Sequence, residues 1–586
     1  MTIKIPGQVG WKQINRGEAV GSLWSTFNID LQSNLSKVRV SPRLKLNSTQ
    51  FTSFSSRYPV AFERFGTRLY SIVGTTIYRN TNDSALPSDA FAADTSTSAA
   101  TDYTAQSDLL SVWGVLLATS DQEMRSLSAA NGGTWTDRIT GMTSSSLHKM
   151  CYFKKYDRVY VTDVGIESIN SSYTHLTDGD YTLPADSYRN FSDIKATSNS
   201  VWIATKTKQA SNFRGSVLQW DGISNQVSRE YKLPCTAVLA IAIDEARDVP
   251  IAIGNDGVIY EFTGSGFTEA GRFPFKNRLP YIGSSAYGSD PSPFIHPNGV
   301  LFTKNGTLLM LINGQNEDSN ATQEENLPSG VWELSRDGSL VHKYSISYDP
   351  VSSAITDYGQ SEIINAGALF YADFNSTSTS KDGTLLVGAS YYTSATATAS
   401  SIFYDNSLDT VQKYGYIVTP QIFSDIVGTF SRIITRFKRF LDSGDRIDIK
   451  YRTDNPEPER ITITWTSTNT FTTTSDIDTK TGYEVEIIRG TGAGKCAHIT
   501  SIVNNAGTRT VTLDDTFTGV TTGTAIARLQ NWQKVDTVSS RGPQYSLTGL
   551  KVTNPWIQFK ICMQFKGRDE LHDIIIDSVE SIDRIR

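Results

Sequence analysis

The sequence predicts an all-β protein: a β-propeller of about seven blades, followed by a C-terminal β-sandwich or small-barrel region. Three observations carry this. Short runs of β-branched and aromatic residues alternate with Gly, Asn and Asp turns through most of the chain. The stretch Pro250–Phe273 reads as strand, turn, strand, turn, strand: Ile251-Ala252-Ile253, then Asn255-Asp256-Gly257, then Val258–Phe262, then Gly264-Ser265-Gly266 and a third run. Variants of that unit recur every 40 to 50 residues or so, the period of propeller blades.

Composition sets the bounds. The 586 residues are 38% hydrophobic, 11% aromatic and 19% charged, so a large core can form and disorder is excluded by composition. The formal charge of -6 argues against a general nucleic-acid binder. Cys151, Cys235, Cys496 and Cys562 stand far apart without a CxxC pair, which speaks against a zinc ribbon or a disulfide scaffold. The opening MTIKIPGQVGW lacks the apolar core of a signal peptide, and no run reaches the ~18 apolar residues of a membrane helix. Synthesis in a cytoplasm is expected.

Residues 1–58 fit no blade. They carry the alternations Lys37-Val38-Arg39-Val40 and Arg43-Leu44-Lys45-Leu46, which read as strand with one solvated face. Two roles are open, a strand that closes the repeat array or an arm that reaches a neighbouring subunit; the need to tie down a terminus favours the first.

Residues 59–413 hold the repeats. Leu69–Arg79 is a hairpin. Units then follow around Val112–Trp135, Met150–Ile169, Val201–Gly222, the Pro250–Phe273 stretch, Gly299–Leu334 and Ala368–Tyr404. One such unit cannot bury both faces, whereas radial stacking against two neighbours does. Ser128-Ala129-Ala130-Asn131-Gly132-Gly133-Thr134-Trp135 resembles the Asp-box turn of sialidase-like propellers, with Ala130 in place of the aspartate; the resemblance implies a structural turn and no catalysis. The low-complexity stretches Asn80–Ser107 and Ser376–Ser401 are expected as surface loops.

Composition shifts near Tyr414, and residues 414–586 form the second region. Arg432, Arg436, Lys438, Arg439, Arg446, Lys450 and Arg452 crowd its start. The bland reading is a solvated basic face balanced by acids; the functional one is a patch facing DNA or an acidic partner. The segment before Arg446 fits a strand or a short amphipathic helix. Strands follow at Arg460–Trp465, Gly482–Arg489, Arg509–Leu513, Ala525–Leu529, Trp556–Phe565 and Leu571–Val579. In WIQFKICMQF, Ile557, Phe559, Ile561, Met563 and Phe565 point one way, and Gln558, Lys560, Cys562 and Gln564 the other.

No motif carries chemistry. Arg489–Cys496 (RGTGAGKC) suggests a P-loop but has Arg489 where the first Gly belongs and Cys496 where Mg²⁺ needs Ser or Thr, in a β-β context. His148, His175, His296, His342, His498 and His572 show no paired ligand spacing. Asp178-Gly179-Asp180 lacks the rest of a calcium loop, and it, Asp318 and Asp514-Asp515 read as turn residues. No catalytic, cofactor-binding or metal residue is assigned, and the chain is read as no enzyme.

Gly21–Leu46 (GSLWSTFNIDLQSNLSKVRVSPRLKL), a degenerate propeller, Arg489–Ile502 (RGTGAGKCAHITSI) with TVTLDDTF, and LHDIIIDS near the end together resemble virion structural proteins of tailed bacteriophages. The pattern is similar to the propeller-bearing tail nozzle or tail-tube proteins of short-tailed phages. That resemblance implies a virion tail location and a homo-oligomeric, hexameric ring. It further implies neighbouring adaptor and fibre proteins, and genomic DNA passing without sequence recognition. A mildly acidic chain suits such a lumen, since dense Lys and Arg would hold phosphates. The alternatives are a receptor-binding protein recognising glycans through aromatics such as Trp135, Trp220 or Trp332, and a propeller glycosidase with two convergent carboxylates.

Overall fold

A computed structural model describes residues 2–5, 25–31, 38–41, 44–51, 58–82, 89–96, 102–130, 132–144, 146–177, 179–208, 214–273, 294–303, 306–314, 328–335, 338, 340–346, 363–372, 384–392, 398–405, 414–423, 429–437, 445–454, 458–517, 519–539, 545–564 and 571–579. These are almost wholly β. Among them no helix is long and apolar enough to cross a membrane.

Among the described residues seven four-stranded antiparallel sheets follow one another along the chain. Their first strands are Pro59–Phe65, Leu109–Val112, Met150–Phe153, Arg189–Ala196, Val238–Asp244, Val300–Phe302 and Ile363–Ala372. Each first strand packs on the first strand of the next sheet, and the seventh packs back on the first, so the sheets stand in a ring. An apolar cluster fills each gap. Trp135 lies between sheets 1 and 2, Trp220 between 3 and 4, and Trp332 between 5 and 6, all buried. Each such ring contributes about 1.5–3 kcal/mol by leaving water. The stretch Pro250–Phe273 forms the last three strands of sheet 5, with Gly257 at φ 73 in the turn.

The seventh sheet takes its fourth strand from the other end of the chain. Leu44–Phe51 pairs antiparallel with Thr398–Asp405. At the seam with sheet 1, Gly367 and Gly388 lie against Pro59, and a Cβ on either would collide with it.

The flanking strands build a two-sheet sandwich from both chain ends. One sheet runs Ile29–Leu31, Val38–Val40, Leu571–Val579, Thr429–Phe437, Tyr545–Thr553, with Thr2–Ile5 also on Leu571–Val579. The other runs Ser25–Phe27, Gly415–Val418, Trp556–Gln564, Arg446–Arg452, Gln533–Ser539. The segment before Arg446 is therefore strand. The described strands of residues 1–58 are shared between the sandwich and the seventh sheet.

A closed six-stranded barrel, Glu459–Gln530, is inserted between Arg446–Arg452 and Gln533–Ser539. It caps the outer face of the second sandwich sheet. Trp556–Gln564 is consequently buried on both faces: Ile557, Phe559, Ile561 and Met563 enter the sandwich core, while Lys560 and Cys562 face the barrel. Period-two alternation marks two faces; here both are covered.

The cover is electrostatic. Glu484 of the barrel, fully buried, takes Lys450 Nζ and Lys560 Nζ of the sandwich, the latter at 2.5 Å. The Lys560 ammonium also lies 4.4 Å from the Tyr416 ring centre, and the Arg452 guanidinium lies 4.2 Å from that of Trp532. Arg452 further donates to Gln558 Oε1 at 2.8 Å, and Arg446 pairs with Asp448 at 2.9 Å. Lys450 and Arg452 fit neither reading of the basic stretch: both are buried where the barrel packs on the sheet, Lys450 on Glu484 of the barrel and Arg452 on Gln558 and Trp532. Arg446, part-exposed and paired with Asp448 and Asp515, fits the bland reading of a basic group balanced by acids. Arg432 and Arg436 lie on Thr429–Phe437 with side chains outside those described, as do Lys438 and Arg439 altogether.

Burial alone would raise the Glu484 carboxyl; the two ammoniums overrule it and hold it far below the usual carboxylate range. A carboxyl depressed on folding adds stability above its unfolded pKa of about 4.3, and that share is lost as pH falls below it. Glu484→Gln would leave two buried ammoniums facing a neutral amide. It is expected to cost about 3–5 kcal/mol in urea unfolding. A loss below about 1 kcal/mol would mean the ion triad behaves as a solvated surface pair.

Candidate functional site

The first strands of the ring enclose an axial cavity of about 880 Å³. Residues from all seven line it, among them Glu63, Leu110, Tyr152, Lys195, Glu245 and Tyr371. One end is crossed by a strap, the 3₁₀ turn Pro297–Gly299. Its His296 Nε2 donates to Ala105 O at 3.0 Å, and Asn298 Nδ2 reaches Val60 O at 2.9 Å and Asp108 Oδ1 at 2.8 Å. The strap thus ties sheet 6 to sheets 1 and 2 across the axis. The lining strand ends lead into the hairpins at the opposite end.

Asp108 and Asp193 are buried carboxylates with related jobs. Asp108 accepts Leu109 N–H at 3.0 Å and, from sheet 3, Met150 N–H at 2.9 Å. Asp193 accepts Ile194 N–H and, from sheet 5, Ile241 N–H, both at 2.8 Å. Each acid clamps its own sheet to the next, answering main-chain donors that the ring would otherwise bury unpaired. Lys149 is fully buried and donates to Ser107 O at 2.9 Å. Burial pushes its ammonium down to about 8, with Asp108 and Asp193 working against that. Lys195 Nζ stands 3.5 Å from Asp193 Oδ1.

Glu63 differs. It touches the solvent of the cavity yet lies inside the ring, and burial pushes its carboxyl up to about 8, helped by Asp108 and opposed by the Arg64 N–H at 3.2 Å. A carboxyl of this kind is a proton donor near neutral pH. A glycosidase needs a second, ionised carboxylate free to act on a sugar. Asp108 is spent on three donors and Asp244 is paired with Arg247, so Glu245 is the further carboxylate on the cavity wall. Cys151 also lines the cavity, but burial raises its thiol, the opposite of an activated nucleophile.

The residues singled out in the sequence lie elsewhere. Arg489–Cys496 is a strand–turn–strand of the barrel: Ala493, Gly494 and Lys495 N–H are taken by Gly490, Ile487 and Gly492 carbonyls, leaving no amide nest for a phosphate. Trp135, Trp220 and Trp332 are core residues; Trp135 Nε1 donates to Asp94 Oδ2 of the neighbouring sheet at 3.0 Å. His148 faces Ser120 O, His175 faces Glu167, His342 sits between Asn28 N–H and Ser329 O, and His498 faces Asp514. Side chains of His572, and Asp178 and Asp318 altogether, fall outside the described residues. Among the described residues no three His, Cys, Asp or Glu side chains converge as a metal site.

Glu63, Asp108, Asp193 and Lys195 escaped the reading of the sequence. Two of them carried a signal: Ser107-Asp108-Leu109 and Ser192-Asp193-Ile194 repeat one pattern at the start of sheets 2 and 4.

No protein family matches the chain, and no curated protein matches it. Among solved structures it is similar to selenomethionine-substituted virginiamycin B lyase from Staphylococcus aureus, at 12% identity and a TM-score of 0.39 over 61% of this chain and 99% of that one. It is also similar to the WD40 β-propeller domain of Doa1, at 14% identity and a TM-score of 0.39 over 62% of this chain and 98% of that one. Neither likeness bears on function.

A carboxyl raised on folding gives full stability below its unfolded pKa and loses it as pH climbs to the folded value. Glu63→Gln removes that loss. The variant is expected to match the parent near pH 5 and to exceed it by about 1–3 kcal/mol near pH 8.5. Parallel pH–stability curves from denaturant unfolding would contradict a buried, proton-holding Glu63.

Proposed function

We propose that the ring of sheets is a seven-bladed β-propeller and that the chain is a non-enzymatic structural protein of a phage tail. In this reading it is the nozzle or tail-tube component. Copies assemble into a ring, a hexamer by resemblance, around the path of the ejected DNA. The sandwich and barrel offer docking faces to adaptor and fibre proteins. The protein is made in the host cytoplasm and works in the virion.

The observation that carries this reading is the use to which buried charge is put. Asp108 and Asp193 hold sheet to sheet, and Glu484 with Lys450 and Lys560 holds barrel to sandwich. Charge spent on rigidity suits a scaffold better than a catalyst. Lys450 and Arg452 also turn inward, away from a DNA path, in a chain whose net charge is -6. Fewer phosphate contacts let DNA slide. The axial cavity, crossed by the 296–299 strap, is not the DNA path; the lumen between subunits is.

The test is the mass of the purified protein by light scattering, alone and mixed with tail extract, followed by electron microscopy. Rings, or recruitment into rings by tail partners, are expected, with no retention of duplex DNA at physiological salt. A chain that stays monomeric and never joins a tail would overturn the reading.

A further inference from the structure

The turn between Leu109–Val112 and Val115–Thr119 is Trp113-Gly114, with φ of 51 and 74. A two-residue hairpin of this kind asks for Asn, Asp or Gly at its first position. The matching hairpins of sheets 1, 3, 5 and 6 use such residues in the left-handed region: Gly66, Asp157, Asp248 and Gly306. A bulky aromatic held there is strained and calls for a reason.

The reason lies in what the indole meets. Trp113 Nε1 donates to Asp157 Oδ1 at 2.7 Å, and Tyr152 Oη donates to the same oxygen at 2.8 Å. Trp113 stands edge-on to Tyr152 and Tyr173, at 5.9 and 6.3 Å between ring centres and 86° and 81° between planes. The Arg138 guanidinium lies 3.8 Å over Tyr173. Tyr173 is also left-handed, at φ 61, so three of the seven left-handed non-glycine residues described meet in one side-chain cluster. Asp157 is exposed, and the Trp113 and Tyr152 donors hold its carboxyl below the usual range. Trp113, Tyr152 and Tyr173 are half-buried. The indole is therefore fixed in orientation by two rings and a hydrogen bond while part of it stays open to solvent.

The cluster borders the axial cavity. Tyr152 belongs to both, and Leu110, two strand residues before the turn, lines the cavity as well. The cavity wall carries Glu63, Asp108, Asp244 and Glu245 beside Lys195. Glu63 holds its proton near neutral pH, Asp108 is spent on three donors and Asp244 pairs with Arg247, while Glu245 is exposed. Lys154 and Lys155, also exposed, precede Asp157 in its turn. A pyranose presents one apolar C–H face and a rim of hydroxyls. A fixed indole takes the first, and Asp157 and Glu245 accept from the hydroxyls of the second.

We propose that the Trp113–Tyr152–Asp157 cluster at the mouth of the axial cavity is a binding site for saccharides. The site is independent of Trp135, Trp220 and Trp332, which the core consumes. A capping role over the core between sheets 2 and 3 accounts for the burial of Trp113 but not for its strained turn, which the other hairpins fill with small residues.

Trp113→Gly separates the two roles. Glycine takes the left-handed conformation freely, so a binding residue can be removed with the melting temperature held or raised. The probes are maltotriose and the chitosan trisaccharide, followed by saturation-transfer NMR and tryptophan fluorescence. One or both are expected to bind, and Trp113→Gly is expected to weaken binding about tenfold or more. Failure of both probes to bind overturns the proposal. So does binding that Trp113→Gly leaves intact. A lowered melting temperature in Trp113→Gly would assign the indole to core capping instead.

Discussion

The structure depends on one pairing: Leu44–Phe51 against Thr398–Asp405. Seven sheets in a ring each bury both faces only if the last meets the first. A sheet finished by its own consecutive strands could close that ring by side-chain packing alone. Here the closing sheet draws strands from both ends of the chain, so main-chain hydrogen bonds also hold the ring shut. Opening it means unzipping a sheet as well as parting an apolar gap. The tight approach of Gly367 and Gly388 to Pro59 brings the seam to backbone contact.

That pairing has a downstream consequence. The chain enters the ring just before Leu44 and leaves it just after Asp405, so both ends emerge at the same sheet. Ser25–Phe27 and Gly415–Val418 can then pair with each other, and they do, in one sheet of the sandwich, while Ile29–Leu31 and Val38–Val40 join Leu571–Val579 in the other. The junction is fixed by Asn28, left-handed at φ 51 and buried. Its Nδ2 donates to Tyr414 O of the sandwich at 3.2 Å, and its Oδ1 accepts Ser345 N–H of the ring at 2.7 Å. His342 stacks on Phe27 at 4.8 Å beside it. Burial draws that imidazole down to about 4, so it stays neutral in the folded chain, and acid in the window between its unfolded value and 4 weakens the joint.

Local signals were legible in the sequence, and distant partnerships were not. Turn residues such as Asn255-Asp256-Gly257 and the alternation of Trp556–Gln564 act over a few residues, and the strands fall where they point. The partner of a strand hundreds of residues away leaves no local mark: nothing in Ser25–Phe27 says that it will lie beside Gly415–Val418. Charge misled for the same reason. Lys450 and Arg452 read as a basic face because their counter-charge and ring, Glu484 and Trp532, come from later in the chain. The cavity acids were hidden by their surroundings, since an Asp before an apolar run looks like any turn residue until the next sheet offers it an amide. Trp113-Gly114 was not read as a turn, lying inside the run from Val112 to Thr119, and its cost becomes apparent only with φ in hand.

Amide hydrogen exchange along Leu44–Phe51 tests this account most directly. If ring closure by these residues underlies the fold, their amides should be protected to the same degree as those of Thr398–Asp405, and the two strands should exchange together on opening. Rapid exchange at Leu44–Phe51 while Ile363–Ala372, Thr384–Tyr392 and Thr398–Asp405 stay protected would contradict it, because the ring would then stand without its closing strand.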